Sequence, residues 1–168
     1  MFFAHIPAGY LVSRIVTRRQ QPAHIKWIVL VGLIGGGFPD IDLLYLYLVD
    51  STPQHHHTYW THLPVAWLGC MALAWVISKY TRVSIRLGLA AFMFGWLSHL
   101  LLDSIAGDIW WLYPLFDQPY SLVSIKVQYQ PWWLNYMLHW TMALELAIIA
   151  LAVGLEIKSP RLCLRYAL

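Results

Sequence analysis

The stretch KWIVLVGLIGGGFPDIDLLYLYLV, residues 26–49, decides the fold. It is apolar over a length that crosses the ~30 Å hydrocarbon core of a bilayer as a helix. It is interrupted by Gly35, Gly36, Gly37 and Pro39, with Asp40 and Asp42 directly after. The glycines loosen the helix. Pro39 disfavours helical geometry at Phe38, and its ring disrupts hydrogen bonding one turn earlier. A break here turns both carboxylates inward together. Each acid inside an apolar span costs about 3 kcal/mol on insertion scales, so such residues point to function unless they are neutralised by protonation or by a distant Arg.

Three more segments come near spanning length: His62 to Lys79, Ile85 to Leu102, and Trp133 to Leu155. A fifth, Phe2 to Val16, is apolar but short. Trp27, Tyr59, Trp60, Tyr80, Trp110, Trp111, Trp132 and Trp133 crowd the segment ends, as in interfacial aromatic belts. Only 11% of the 168 residues are charged and 60% are hydrophobic, against about a quarter charged in a soluble domain. A soluble chain would expose too many apolar faces. The expected fold is therefore all-α, a polytopic transmembrane bundle of four to five helices forming a single domain over 1–168.

The cations orient the bundle. Ten of the eleven Lys and Arg residues fall in 14–26, 79–86 and 158–165, leaving Lys126. With five segments these clusters share one side, which the positive-inside rule makes cytoplasmic. The N-terminus is then outside and the C-terminus inside. Residues 1–14 lack the basic n-region and apolar h-region of a cleavable signal peptide. Cys70 and Cys163 stand in unlike surroundings and suggest neither a disulfide nor a zinc ribbon. A net charge of +3 needs no nucleic acid to explain it.

Acids and histidines show the opposite bias. His5, Asp40, Asp42, His55, His56, His57, His62, His99 and Asp103 all fall towards the outer end. His99 and Asp103 stack one turn apart on a helix, which suits a shared metal or a hydrogen bond closing the helix end. Thr61 is placed to cap the third helix, with Pro64 in its first turn. His55 and His56 read as solvated loop residues. Imidazole and carboxylate are the ligands of Zn, Mn and Fe. Seven groups (His5, Asp40, Asp42, His57, His62, His99 and Asp103) exceed the need of one tetrahedral ion and suit two.

The order His5, Pro39-Asp40-Ile41-Asp42, His57-x4-His62 with Thr61, then Ser98-His99-Leu100-Leu101-Leu102-Asp103 resembles a bacterial family of inner-membrane metal-dependent hydrolases, also known as LexA-binding membrane proteins. Leu112-Tyr113-Pro114 and Ser121-Leu122 extend the likeness to about residue 125. That family usually carries Arg where Thr58 stands. The His-x3-Asp pair is also similar, at motif level, to zinc-dependent phospholipase C.

The resemblance implies a membrane-bound metal-dependent hydrolase, acting on an ester or phosphoester of a lipid or lipid-linked substrate at the outer face of the bacterial inner membrane. The seven groups would hold a divalent metal, with Zn the first candidate, and Asp42 is a candidate general base. His139 and Glu145 are candidates for orienting the ligands, although Glu145 equally fits a structural pairing in the bundle. Lys126 could meet a substrate phosphate, although a single exposed lysine is usually just solvated, and the aromatic loop 109–133 fits either a gate lying on the bilayer or interfacial anchoring without gating. The competing readings are a divalent-cation transporter and a non-catalytic protein stabilised by metal.

Overall fold

The computed structural model describes residues 3–19, 24–50, 55–131, 133–159 and 161–162. Among them the chain is helical, with no β-strand beyond one bridge between Ile109 and Tyr120. The helices are α1 (His5–Val16), α2 (Ile25–Gly37), α3 (Ile41–Leu48), α4 (Pro64–Ser78), α5 (Val83–Ala106), α6 (Trp133–Met137) and α7 (Thr141–Lys158). Two 3-10 turns, His56–Thr58 and Trp60–His62, precede α4.

Helices α1, α2 and α5 pack against one another as the central layer, with α4 on α5 and α7 on α1. Glycine makes the central contact possible. A Cβ on Gly36 would collide with the backbone oxygen of His5, and one on Gly35 with that of Phe92. Backbones this close are the small-residue packing found where helices associate without a hydrophobic drive from water. Side chains such as Leu30, Ile34, Leu68, Leu73, Trp75, Leu146 and Leu151 point outward.

By length and composition α5 is, among the described residues, the one single helix that is a candidate membrane span, with α2 and α3 passing together as a pair bent by 45°. Against the four to five spans expected, one helix among the described residues, or two if the bent pair is one span, is long and apolar enough to cross a membrane. The 26–49 stretch bends at Phe38–Asp40, where Pro39 predicts it. The segment expected from His62 begins as a helix at Pro64, because residues 60–62 form a 3-10 turn and Pro64 has no N–H to satisfy at a helix start. The last segment is interrupted at 138–140, giving α6 and α7. Cys163 and Trp132 lie outside the described residues.

Beyond α5 an irregular loop folds back on the helix. Leu122 and Val123 donate their N–H groups to the carbonyls of Ser104 and Ile105 (both 2.9 Å), satisfying acceptors that a helix end leaves open. Asn135 on α6 secures the same loop by accepting from Gln128 and Tyr129 N–H at 2.7 and 2.8 Å. Near the other end of α1, Arg14 donates to the Tyr10 hydroxyl, which in turn donates to Glu156 at 2.6 Å.

The start of α1 is held differently. Glu145 of α7, 3% exposed, accepts from the N–H groups of Phe3 (2.6 Å) and Ala4 (3.2 Å). It thus fills the position of a cap supplied by another helix.

Two expectations follow for stability. Gly36→Val is expected to lower the thermal midpoint in detergent strongly, while Gly69→Ala, whose Cβ meets nothing within 4 Å, is neutral or stabilising by up to ~1 kcal/mol. Glu145→Ala leaves the N–H groups of Phe3 and Ala4, just before α1, without this acceptor and should cost on the order of 2–3 kcal/mol. Equal midpoints for Gly36→Val and the parent would refute the close packing; an unchanged Glu145→Ala would refute the cap.

Candidate metal centre

Six pieces of chain deliver the polar cluster. His5 is the first residue of α1, Asp40 sits at the α2–α3 break, and Asp42 lies in the first turn of α3. His57 and His62 come from the two 3-10 turns, and His99 and Asp103 from successive turns of α5. All but Asp40 are buried. The 3-10 turns are pinned by Trp96, whose indole N–H donates to the Thr61 carbonyl at 2.7 Å.

Asp103 is central. Its Oδ1 lies 3.2 Å from His5 Nε2. Its Oδ2 lies 3.0 Å from His99 Nε2 and 3.5 Å from both His57 Nε2 and His62 Nε2. The Nε2 atoms of His62 and His99 are 3.2 Å apart. Asp40 Oδ1 stands 3.6 Å from His99 Nε2 and 3.9 Å from His62 Nε2. The His5 and His99 rings stack with centroids 3.7 Å apart.

These separations fit a metal. Two ligand atoms 2.0–2.2 Å from one tetrahedral ion lie about 3.3–3.6 Å apart, close to the 3.0–3.9 Å seen here. Three triplets bring one ligand atom each to within 4.8 Å of the others: His5, His99 and Asp103; Asp40, His62 and His99; and His56, His57 and His62.

The far sides of the rings point the same way. His99 Nδ1 is 2.7 Å from the Gly36 carbonyl, His57 Nδ1 is 3.2 Å from the Asp108 carbonyl, and His62 Nδ1 is 2.6 Å from Asp42 Oδ2. A carbonyl only accepts, so His99 and His57 carry their proton on Nδ1 and turn a bare Nε2 to the centre. Such partners fix the tautomer of metal-binding histidines. Burial pushes the His57 imidazole far down, against the charge of Asp103, and so holds it neutral. For His62, burial is outweighed by hydrogen bonds to Asp103 and Asp42 and by their charges, which raise it to about 9. Where no cation is bound, a proton serves in its place.

Asp42 faces His62 rather than the centre. Its Oδ2 also accepts from the Thr61 hydroxyl at 2.8 Å, and its Oδ1, 3.4 Å from His56 Nδ1, makes no hydrogen bond. Thr61 therefore does not cap α4, whose cap position is Leu63. His56, expected to be solvated, is half-buried beside Asp42, whereas His55 is exposed. Of the outlying candidates, His139 pairs with Thr141 and tilts against Trp140, with no contact among the described residues joining it to the cluster. Glu145 meets the backbone just before His5, accepting from the N–H groups of Phe3 and Ala4. Lys126 is exposed.

A cavity of about 530 Å³ opens over the cluster, lined by Asp40, His57 and Asp103 and, opposite them, by Asp108, Ser121 and Tyr136. Sequence reasoning did not find the roles of Gly36, His56, Asp108 and Thr61. Gly36 and Asp108 act through backbone carbonyls, which every residue has, so the side-chain pattern held no signal for them.

Comparison with curated proteins and with solved structures gives no match. Comparison with protein-family models matches residues 1–161 to the YdjM inner membrane protein family. The match takes in every residue of the cluster and continues through α7. Its description specifies a membrane and no reaction, in keeping with the apolar surface and the long α5 span. The chain belongs to the YdjM inner membrane protein family.

Proposed function

We propose that this protein is a membrane-bound metal-dependent hydrolase that cleaves an ester or phosphoester of a lipid or lipid-linked substrate. The observation that carries the reading is the convergence of His57, His62, His99, Asp40 and Asp103 at 3.0–3.9 Å, beside a cavity large enough for a head group. A structural metal site is closed by its ligands, whereas a catalytic one keeps a side open to substrate. Here Asp40, His57 and Asp103 themselves line the cavity. The same geometry tells against a transporter, since the candidate ligand groups gather at one end of α5 and not at its middle.

A divalent ion, Zn before Mn or Fe, would supply Lewis acidity and lower the pKa of water. The residues would do the rest. His62, His99 and Asp40 would form one half of the ligand set, since His99 has only its Nε2 lone pair to give, and His5 with Asp103 the other, the two oxygens of Asp103 facing different partners, which suits two ions. Asp42 acts through His62, holding its ring in place, and because Asp42 does not line the cavity, Asp40 at the cavity edge is the better placed proton acceptor. In the reaction a phosphorus–oxygen or acyl carbon–oxygen bond breaks. Water gives its hydroxyl to phosphorus or carbon and its proton to the leaving alcohol. We further place α1, α2–α3, α4 and α7 beside α5 within the bilayer. The cluster then faces the outer side, since the Lys and Arg clusters lie at the opposite ends of the helices.

Elemental analysis of the purified protein tests this directly. About two equivalents of Zn, Mn or Fe are expected, reduced in Asp40→Ala and His99→Ala. No bound metal after reconstitution with each candidate would overturn the reading. Asp42→Asn should weaken metal affinity about 10–100-fold while leaving the ligands intact.

The raised His62 pKa fixes a sign. Below about pH 9 the metal-free ring is protonated, and a ligand nitrogen must be bare. Metal uptake should therefore release a proton and weaken as pH falls. Calorimetric titration in buffers of differing ionisation enthalpy measures this release, and uptake without it would contradict His62 as a ligand.

A further inference from the structure

Two cavities meet at Asp40. On one side lies the polar cavity over the cluster. On the other an apolar groove of about 450 Å³ runs along α1 and the α2–α3 bend, walled by Ile6, Leu33, Ile34, Gly37, Phe38 and Ile41. Asp40 lines both. Its side chain is 34% exposed, yet its Oδ1 is within 4 Å of His62 and His99 Nε2.

The sequence explains the hollow. The 45° bend at Phe38–Asp40 carries α3 away from the line of α2. Gly37 leaves the surface bare at the bend, and a Cβ there would meet only the flexible Ile6 side chain, at 3.3 and 3.7 Å. Ile6, Ile34 and Ile41 are each more than half exposed. In an inner membrane protein such a rim faces hydrocarbon, not water. Water in the groove would find few polar partners, and a polar head group would find none beyond Asp40 among the described lining residues.

We infer that this groove holds the acyl chain of a lipid phosphoester whose head group reaches the cluster past Asp40. The inference rests on the hydrolase reading for its head group and on the groove itself for its chain. A soluble phosphoester would fill the polar cavity and leave the groove unused. A lipid fits both, with its ester linkage at the one residue the two spaces share. The chain enters sideways from the bilayer between α1 and α3, while water and the released head group exchange through the polar side.

The test uses the full-length protein in mixed detergent micelles with phosphatidylglycerol carrying a photoactivatable diazirine on one acyl chain. Adducts mapped by mass spectrometry are expected to concentrate on residues 33–41. Excess unlabelled phosphatidylglycerol should compete, whereas glycerol phosphate should not. Ile34→Trp and Gly37→Leu, which fill the groove at separate points, should each cut the adduct several-fold. Adducts spread evenly over the lipid-facing helices, or unchanged in both variants, would overturn the groove assignment. Metal content of the same samples separates the two readings. Groove labelling without bound metal sinks the hydrolase and keeps the chain site. Bound metal with hydrolysis of p-nitrophenyl phosphate, but without groove labelling, does the reverse.

Discussion

Gly36 carries two contacts that the rest of the structure depends on. With no side chain it lets the backbone of α1 press against α2 at His5, and its own carbonyl, opposite α5, accepts from His99 Nδ1 at 2.7 Å. The contact that brings the first helix into the bundle therefore sits beside the one that sets the tautomer of the most central imidazole. Gly35 extends the arrangement by letting α2 lie directly on the backbone of α5 at Phe92. Close packing of this kind leaves little room for side chains to adjust, and in return it brings candidate ligand atoms from α1, α5 and the α2–α3 break close together. A ligand set needs that fixity, because a drift of an ångström in one ring abandons the geometry.

The cluster is expensive, and the fold spreads its cost. Imidazoles and carboxylates taken out of water cost free energy unless each polar atom finds a partner. The far nitrogens of His57 and His99 are given to backbone carbonyls, and that of His62 to Asp42, itself steadied by Thr61. What remains faces inward, atoms of like kind at near-contact distance, among them two imidazole nitrogens 3.2 Å apart. A cation at the centre satisfies all of them at once, whereas protons satisfy them only in part. That difference is the physical ground for reading the centre as a metal site and not as a buried hydrogen-bond network.

Much of this was legible in the sequence, for identifiable reasons. Pro39 after three glycines marks the bend, and His99 and Asp103 are bound to share a face of any helix that contains them. The seven candidates stand out because acids and imidazoles are rare in apolar chains, and the fold brings them into one neighbourhood. What escaped lay in short irregular turns and in backbone atoms. Residues 56–62 form two 3-10 turns, which carry no periodicity, so Thr61 read as a cap and His56 as a solvated loop residue. Glu145 stands out as an acid in an apolar segment, fitting either a ligand-orienting or a structural pairing, but nothing in its own helix shows that N–H groups near the start of the chain are among its partners.

Glu145 also shows how far the site reaches into the fold. Its two acceptor bonds hold Phe3 and Ala4, immediately before His5, whose ring stacks on His99 and meets the oxygen of Asp103 turned away from the other histidines. The last helix thus has no ligand of its own and still governs where one half of the ligand set stands. Asp40 sits at the opposite extreme. It is the most exposed of the candidate ligands, is held by no cap bond, and stands at the bend where polar and apolar cavities meet. The buried members of the cluster therefore lie against α1 and α5, and its exposed member lies where the polar cavity and the apolar groove meet. Among the described residues Asp40 is thus the one candidate ligand that lines both spaces, and it does so outside the glycine-packed contact of α1, α2 and α5.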